Sequence, residues 1–247
     1  MDYLGILESL HRGVRGLSSR SGMLDWDCTT TPQMHLLLEA LKVDKIIRML
    51  SFRNNRLGLY PERMKYISEV IKVNETLQIL KFESNDLGNC LNGMDYLSEA
   101  LKINKTLRTL ELEYNNFGNY PNSPSVKFLL EALKINKTIQ VLDLSYNGLG
   151  DCSDDVEFLS EFLKVNETLQ MLSLYYNNLG NCPGGMNSLL ESLKVNSSIQ
   201  ELRIRDNYLN ETVENEITDI LKRNKHNSRL KNSCLFGLLL PVLDSSF

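Results

Sequence analysis

Histidine is nearly absent from this chain. Only His11, His35 and His226 occur, each in a different region, so no His-centred triad or metal cluster is expected. Cysteine is also sparse and odd in number: Cys28, Cys90, Cys152, Cys182 and Cys234, with no C-x-x-C pair. That excludes a zinc or disulfide framework and leaves free thiols in a reducing compartment as the expectation. H-E-x-x-H, G-x-S-x-G and G-x-x-x-x-G-K-[ST] are all missing, so neither an enzyme nor a bound cofactor is expected. Long apolar runs are lacking too. The longest, "LFGLLLPVL" at Leu235–Leu243, is interrupted by Pro241 and is too short to span a bilayer. Residues 1–20 lack a basic start followed by an apolar stretch, so no secretory signal and a cytoplasmic location are expected. There is no basic excess, the formal net charge being −4, and this argues against a nucleic-acid or membrane-surface partner.

What is present is repetition. "IKVNETLQILKFESNDLG" from Ile71 to Gly88 recurs as "LKINKTLRTLELEYNNFG" from Leu101, "LKINKTIQVLDLSYNGLG" from Leu133 and "LKVNETLQMLSLYYNNLG" from Leu163. Weaker copies start at Leu41 and Leu193. The equivalent leucines Leu50, Leu80, Leu110, Leu142, Leu172 and Leu202 are spaced by 30, 30, 32, 30 and 30 residues. A fixed period in this range signals a solenoid. Within a unit, "TLQMLSL" alternates with period two around Leu172, as a short strand does. In "FLSEFLKVN", Leu159, Phe162 and Leu163 stand at helical spacing. One strand–turn–helix unit cannot bury its apolar face alone. Stacked units form a parallel sheet on one side and parallel helices on the other.

The punctuation fits. Thr31 before Pro32 and Ser123 before Pro124 read as N-caps with Pro at the first helical position. Lys42, Lys72, Lys102, Lys134, Lys164, Lys194 and Lys222 recur at the predicted helix ends, where a cation suits the helix dipole. Asn74, Asn104, Asn136, Asn166, Asn196 and Asn224 follow two residues later, with Asp44 in the first copy. Asn tolerates the left-handed conformation that ends many helices, which predicts that backbone here. Most of these asparagines, and Asn210, also begin N-x-[ST] sequons, which admits the alternative of a secreted or surface glycoprotein. A second column, Asn55, Asn85, Asn115, Asn147, Asn177 and Asn207, lies just after each strand and predicts a buried amide ladder. The Leu-Gly pairs that follow, such as Leu179-Gly180, supply a core plug and a residue free to take positive φ.

The pattern L-x-x-L-x-L-x-x-N-x-L-G after "LKxN" resembles the leucine-rich repeats of the ribonuclease-inhibitor type, over about residues 38–224. The resemblance implies an α/β fold: a right-handed horseshoe with a concave parallel sheet and convex helices, binding a protein on the concave face. It does not extend to ribonuclease inhibition, because Trp26 is the only tryptophan. The chain divides into an N-terminal capping segment (1–40), the repeats (41–224) and a C-terminal cap or tail (225–247). "MLDWDC" at Met23–Cys28 reads as a degenerate first strand and "NEITDILKRN" at Asn215–Asn224 as the last regular helix. The apolar tail either covers the open end of the core or meets a partner. Cys152 and Cys182 occupy equivalent places in adjacent repeats, so stacking brings them near each other.

Residues between the core leucines face the concave side. Numbering positions within each unit so that Leu172 is the fourth, the fifth, seventh and eighth columns carry the candidates. Tyr114, Tyr146 and Tyr176 align in consecutive units, with Tyr175 beside them. Glu83, Glu111, Glu113 and Asp143 make an acidic centre, and Arg203 and Arg205 a basic patch near the C-terminal end. Surface tyrosines commonly anchor protein interfaces; the same rings could also serve only to shield the turn. The expected function is a non-catalytic protein–protein interaction scaffold, monomeric, with a partner of basic or mixed charge. A substrate-recognition subunit of a ubiquitin ligase is a further alternative.

Overall fold

The computed structural model describes residues 23–25, 38–120 and 123–239, with side chains over 38–120 and 123–230. The readings at Thr31 and Pro32, at Trp26 and Cys28, over the first 22 residues and over the last eight, 240–247, lie outside it. Seven short strands, β1 (Met23–Asp25), β2 (Met49–Ser51), β3 (Ile79–Lys81), β4 (Thr109–Glu111), β5 (Val141–Asp143), β6 (Met171–Ser173) and β7 (Glu201–Arg203), form one parallel sheet in chain order. The register joins Leu24, Leu50, Leu80, Leu110, Leu142, Leu172 and Leu202 across it. The longer unit is absorbed in the loop before its helix, so Leu110 still faces Leu142.

The helices are α1 (helical residues 38–43), α2 (Pro61–Val73), α3 (Leu91–Ile103), α4 (Ser125–Ile135), α5 (Ser153–Val165), α6 (Pro183–Val195) and α7 (Glu211–Leu239), and from β2 on each strand leads to its helix through a left-handed turn. These strand–helix–strand crossovers build a right-handed α/β solenoid. Neighbouring strands sit about 4.8 Å apart while packed helices need about 8–10 Å. The strand side is therefore the concave one.

The core lies between the layers. Leu50, Leu80, Leu110, Leu142 and Leu172 are fully buried, facing Met64, Ile67 and Ile71 of α2 and their counterparts. Phe52 and Phe82 take the place of leucine in two early units and stack at 5.5 Å. The amide ladder is present as expected. Asn115 Nδ2 donates to Phe82 O and Leu112 O, both at 2.9 Å, and its N–H donates to Asn147 Oδ1 at 2.8 Å. A side chain thus satisfies backbone groups of two units at once.

The helix-end asparagines work differently from the expectation. Asn74, Asn104, Asn136, Asn166 and Asn196 are extended, not left-handed, with φ between −61° and −80°. Each is a bridge between units. Asn166 Nδ2 reaches back to Leu133 O at 3.0 Å, while its Oδ1 accepts from Thr168 N and Leu169 N at 3.0 and 2.8 Å. Asp44 accepts likewise from Ile46 N and Ile47 N. The sequon hydroxyls have the same office: Thr106 Oγ1 donates to Asn74 O and Ser198 Oγ to Asn166 O. The folded chain leaves these buried amides no room for a glycan.

The glycines after each core plug also differ from the expectation. Among the described glycines only Gly148 has positive φ, at 66°. A Cβ at Gly58, Gly118 or Gly180 would run into the backbone carbonyl of the next unit, so these glycines serve close packing of one turn on another. Ser123 is not the N-cap either; α4 starts at Ser125 after Pro124. Ser123 Oγ instead donates to Gly88 O at 2.7 Å. Helix-end lysines such as Lys72 and Lys134 pair with the carboxylates three residues earlier, Glu69 and Glu131, at 2.9 and 2.6 Å. The last helix is longer than the segment Asn215–Asn224 and runs unbroken from Glu211 to Leu239. Cys90, Cys152 and Cys182 are free thiols.

Candidate protein-binding face

From β2 on, the turn after each strand places the unit's eighth residue in the left-handed region. Asn54, Ser84 and Asp206 have φ of 57°, 58° and 58°, as short polar residues readily do. Tyr114, Tyr146 and Tyr176 adopt the same conformation, at 55°, 56° and 51°, where a bulky side chain is uncommon. Because the turns repeat in register, the rings stack. Tyr114 and Tyr146 lie 4.2 Å apart between centroids and 11° from parallel, and Tyr146 and Tyr176 lie 4.8 Å apart at 12°. Tyr175 stands edge-on to Tyr176 at 4.6 Å. Tyr114 and Tyr176 are 46% and 45% exposed, so the outer rings of the stack reach solvent. Tyr146 loses solvent between its neighbours and hydrogen-bonds the Tyr114 hydroxyl, which pushes its phenol up to about 12. Tyr175 is raised further, first by its hydrogen bond to Asp206.

The expected acidic centre narrows on inspection. Glu111 is paired with Lys81 at 2.6 Å and Glu83 with Arg53 at 2.9 Å. Both pairs join the same column in adjacent units, a juxtaposition that follows from the register of parallel strands. Among the described residues Glu113 and Asp143 have no cation partner, and they lean on one another. Burial, and then the Asp143 charge, push Glu113 up to about 7. Asp143 also accepts from Ser145 N at 2.9 Å. Sequence columns showed the carboxylates but not this neutralisation, although Lys81 and Arg53 stood one unit away in the same columns.

The basic patch is likewise partly occupied: Arg203 Nε contacts Glu201 at 2.8 Å within β7. Arg203 and Arg205 border an open groove of about 860 Å³ between β7 and α7, floored by Leu202, Ile204, Ile217 and Leu221. Nothing in the repeat pattern announces this groove; it arises where stacking stops. His226 is exposed on α7, and His11 and His35 lie outside the described residues. Burial raises the thiols of Cys90 and Cys152, which makes them poor nucleophiles. Among the described residues no helix is long and apolar enough to cross a membrane.

A strand–turn–helix unit repeated in register, with a leucine core and an asparagine ladder, defines a leucine-rich repeat solenoid. The comparisons agree: the leucine-rich repeat family matches residues 104–119 and 136–151. No curated protein matches the chain. Among solved structures, "Leiomodin-1 Actin-Binding Site 2 (ABS2)" is 17% identical, with 82% of this chain and 95% of that one covered and a TM-score of 0.46. The tropomodulin C-terminal domain of Caenorhabditis elegans is 13% identical, with 81% and 97% covered and a TM-score of 0.43. At these identities and scores neither likeness carries a partner over to this chain.

Proposed function

We propose that the chain is a non-catalytic scaffold that grips another protein on the middle of its concave face. The contact centres on Tyr114, Tyr146 and Tyr176, with Tyr175, Glu113 and Asp143 beside them. The observation that carries the reading is the conformation of the three tyrosines. The turn accepts Asn, Ser or Asp elsewhere, so the fold does not need an aromatic residue there. A bulky residue held in the left-handed region costs on the order of 1–3 kcal/mol, and such strain gathers at functional sites. What the arrangement supplies is a rigid aromatic platform whose outer rings are half exposed, the kind of surface that anchors an interface at low entropic cost. Glu113 and Asp143, which pair with no cation among the described residues, favour a partner with basic groups opposite them. The full helices α2 to α6 support assignment to the ribonuclease-inhibitor type of repeat.

The test is affinity capture with the intact protein beside a Tyr146→Ala, Tyr176→Ala double variant whose circular dichroism is native. Proteins retained by the wild type and lost by the variant support the concave platform. An identical set from both forms rejects it.

A further inference from the structure

The sheet ends with an unanswered strand. From β2 on, backbone N–H groups just after each strand donate to the next unit: Phe52 and Asn54 to Lys81 O and Glu83 O at 2.9 and 3.0 Å, and Leu174 and Tyr176 to Arg203 O and Arg205 O at 2.6 and 3.3 Å. In the last unit the equivalent donors are the N–H groups of Ile204 and Asp206, which have no partner among the described residues. The N–H groups of Asn207 and Leu209 are in the same position; in the preceding unit Asn177 and Leu179 donate to Asn207 Oδ1. Beside this edge lies the groove floored by Leu202, Ile204, Ile217 and Leu221, where the apolar side chains of a further unit would sit.

The charges on the edge are specific. At two places on the sheet a cation in one unit meets a carboxylate at the same position of the next: Lys81 meets Glu111 and Arg53 meets Glu83. Arg203 and Arg205 occupy those two positions in the last unit. Among the described residues Arg203 pairs with Glu201 of its own strand alone.

We propose that the free edge of β7 takes up an extended acidic segment of a partner protein, which pairs parallel to β7 and continues the sheet. Its apolar residues alternate with carboxylates: the first enter the groove, the second meet Arg203 and Arg205. This is strand addition to an exposed edge, with main-chain bonds for affinity and side chains for choice. The internal strand Leu110-Glu111-Leu112-Glu113 has this pattern, with Asn115 following to offer its amide oxygen to the next turn. The proposal does not depend on the tyrosine platform.

The probe is a labelled synthetic peptide of residues 105–118, KTLRTLELEYNNFG, titrated into the intact protein. Saturable binding is expected, with slowed hydrogen exchange at the Ile204 and Asp206 amides. The Arg203→Glu, Arg205→Glu double variant should bind it about tenfold or more weakly. The same variant should recover affinity for a peptide carrying Lys at both Glu positions, which shows that its edge is still folded. Unchanged exchange at Ile204 and Asp206 under excess peptide would overturn the proposal. So would affinity indifferent to the charge reversal.

Discussion

The backbone N–H of Asn147 donates to the side-chain oxygen of Asn177, one unit further on, at 3.1 Å. Asn147 Nδ2 meanwhile reaches back to Leu112 O at 2.9 Å. One buried residue therefore ties three units together, and loss of its side-chain amide strands groups of two of them that water cannot reach. Asn147→Ala should lower stability by about 1–3 kcal/mol, whereas Asn210→Ala, at an exposed position, should cost less. Urea melts of the two variants check this; equal midpoints would place the ladder outside the stabilising core.

At Asn166 the extended backbone, with φ −80° and ψ 126°, leaves no advantage to glycine. Asn166→Gly should be destabilising by about 1–3 kcal/mol, because the bridge to Leu133 O and the caps on Thr168 N and Leu169 N all disappear. Asn166→Asp should lose less, since Asp44 makes the same two caps in the first unit. A neutral Asn166→Gly in denaturant melts would contradict the bridge.

These two asparagine columns show what could be read from residues alone. Period, strand register and the ladder were legible, because each depends on residue type at a fixed spacing. The helix-end column was equally visible but its backbone was not. Asn suits both a left-handed stop and an extended Asx turn, and only the location of the carbonyl of Leu133 decides between them. The glycines failed for the same reason: a close approach by Gly148 to Gly118 is a property of two units together. At the candidate face the tyrosine column was legible, while the pairing of Glu111 with Lys81 needed the lateral register.

Glycine packing gives a direct contrast. Gly118→Ala should cost about 1–3 kcal/mol, since its Cβ meets backbone that cannot yield. Gly184→Ala, in the first turn of α6 with open space around it, should be neutral or mildly stabilising. Thermal melts of both variants test this, and similar effects would count against the close approach.

Stability should fall between about pH 4.5 and pH 7, the ordinary and folded values for Glu113. The folded state holds the Glu113 proton more tightly than the unfolded chain does. Across that window the native state binds more protons, so raising the pH favours unfolding. Asp155, raised to about 7 chiefly by burial, acts in the same direction. Glu113→Gln should flatten the decline, and a further Asp155→Asn change should flatten it more. Urea midpoints from pH 4.5 to 8 provide the measurement; an unaltered slope in Glu113→Gln would show that this carboxyl titrates normally.

The central claim is that the stacked tyrosines are a binding platform and not merely a cover for the turn. The most direct measurement is a titration of a captured partner with wild type and with the Tyr146→Ala, Tyr176→Ala variant, both native by circular dichroism. The platform predicts a loss of about 2 kcal/mol or more in binding free energy, as for an interface hot spot. Wild-type affinity in the variant would contradict it.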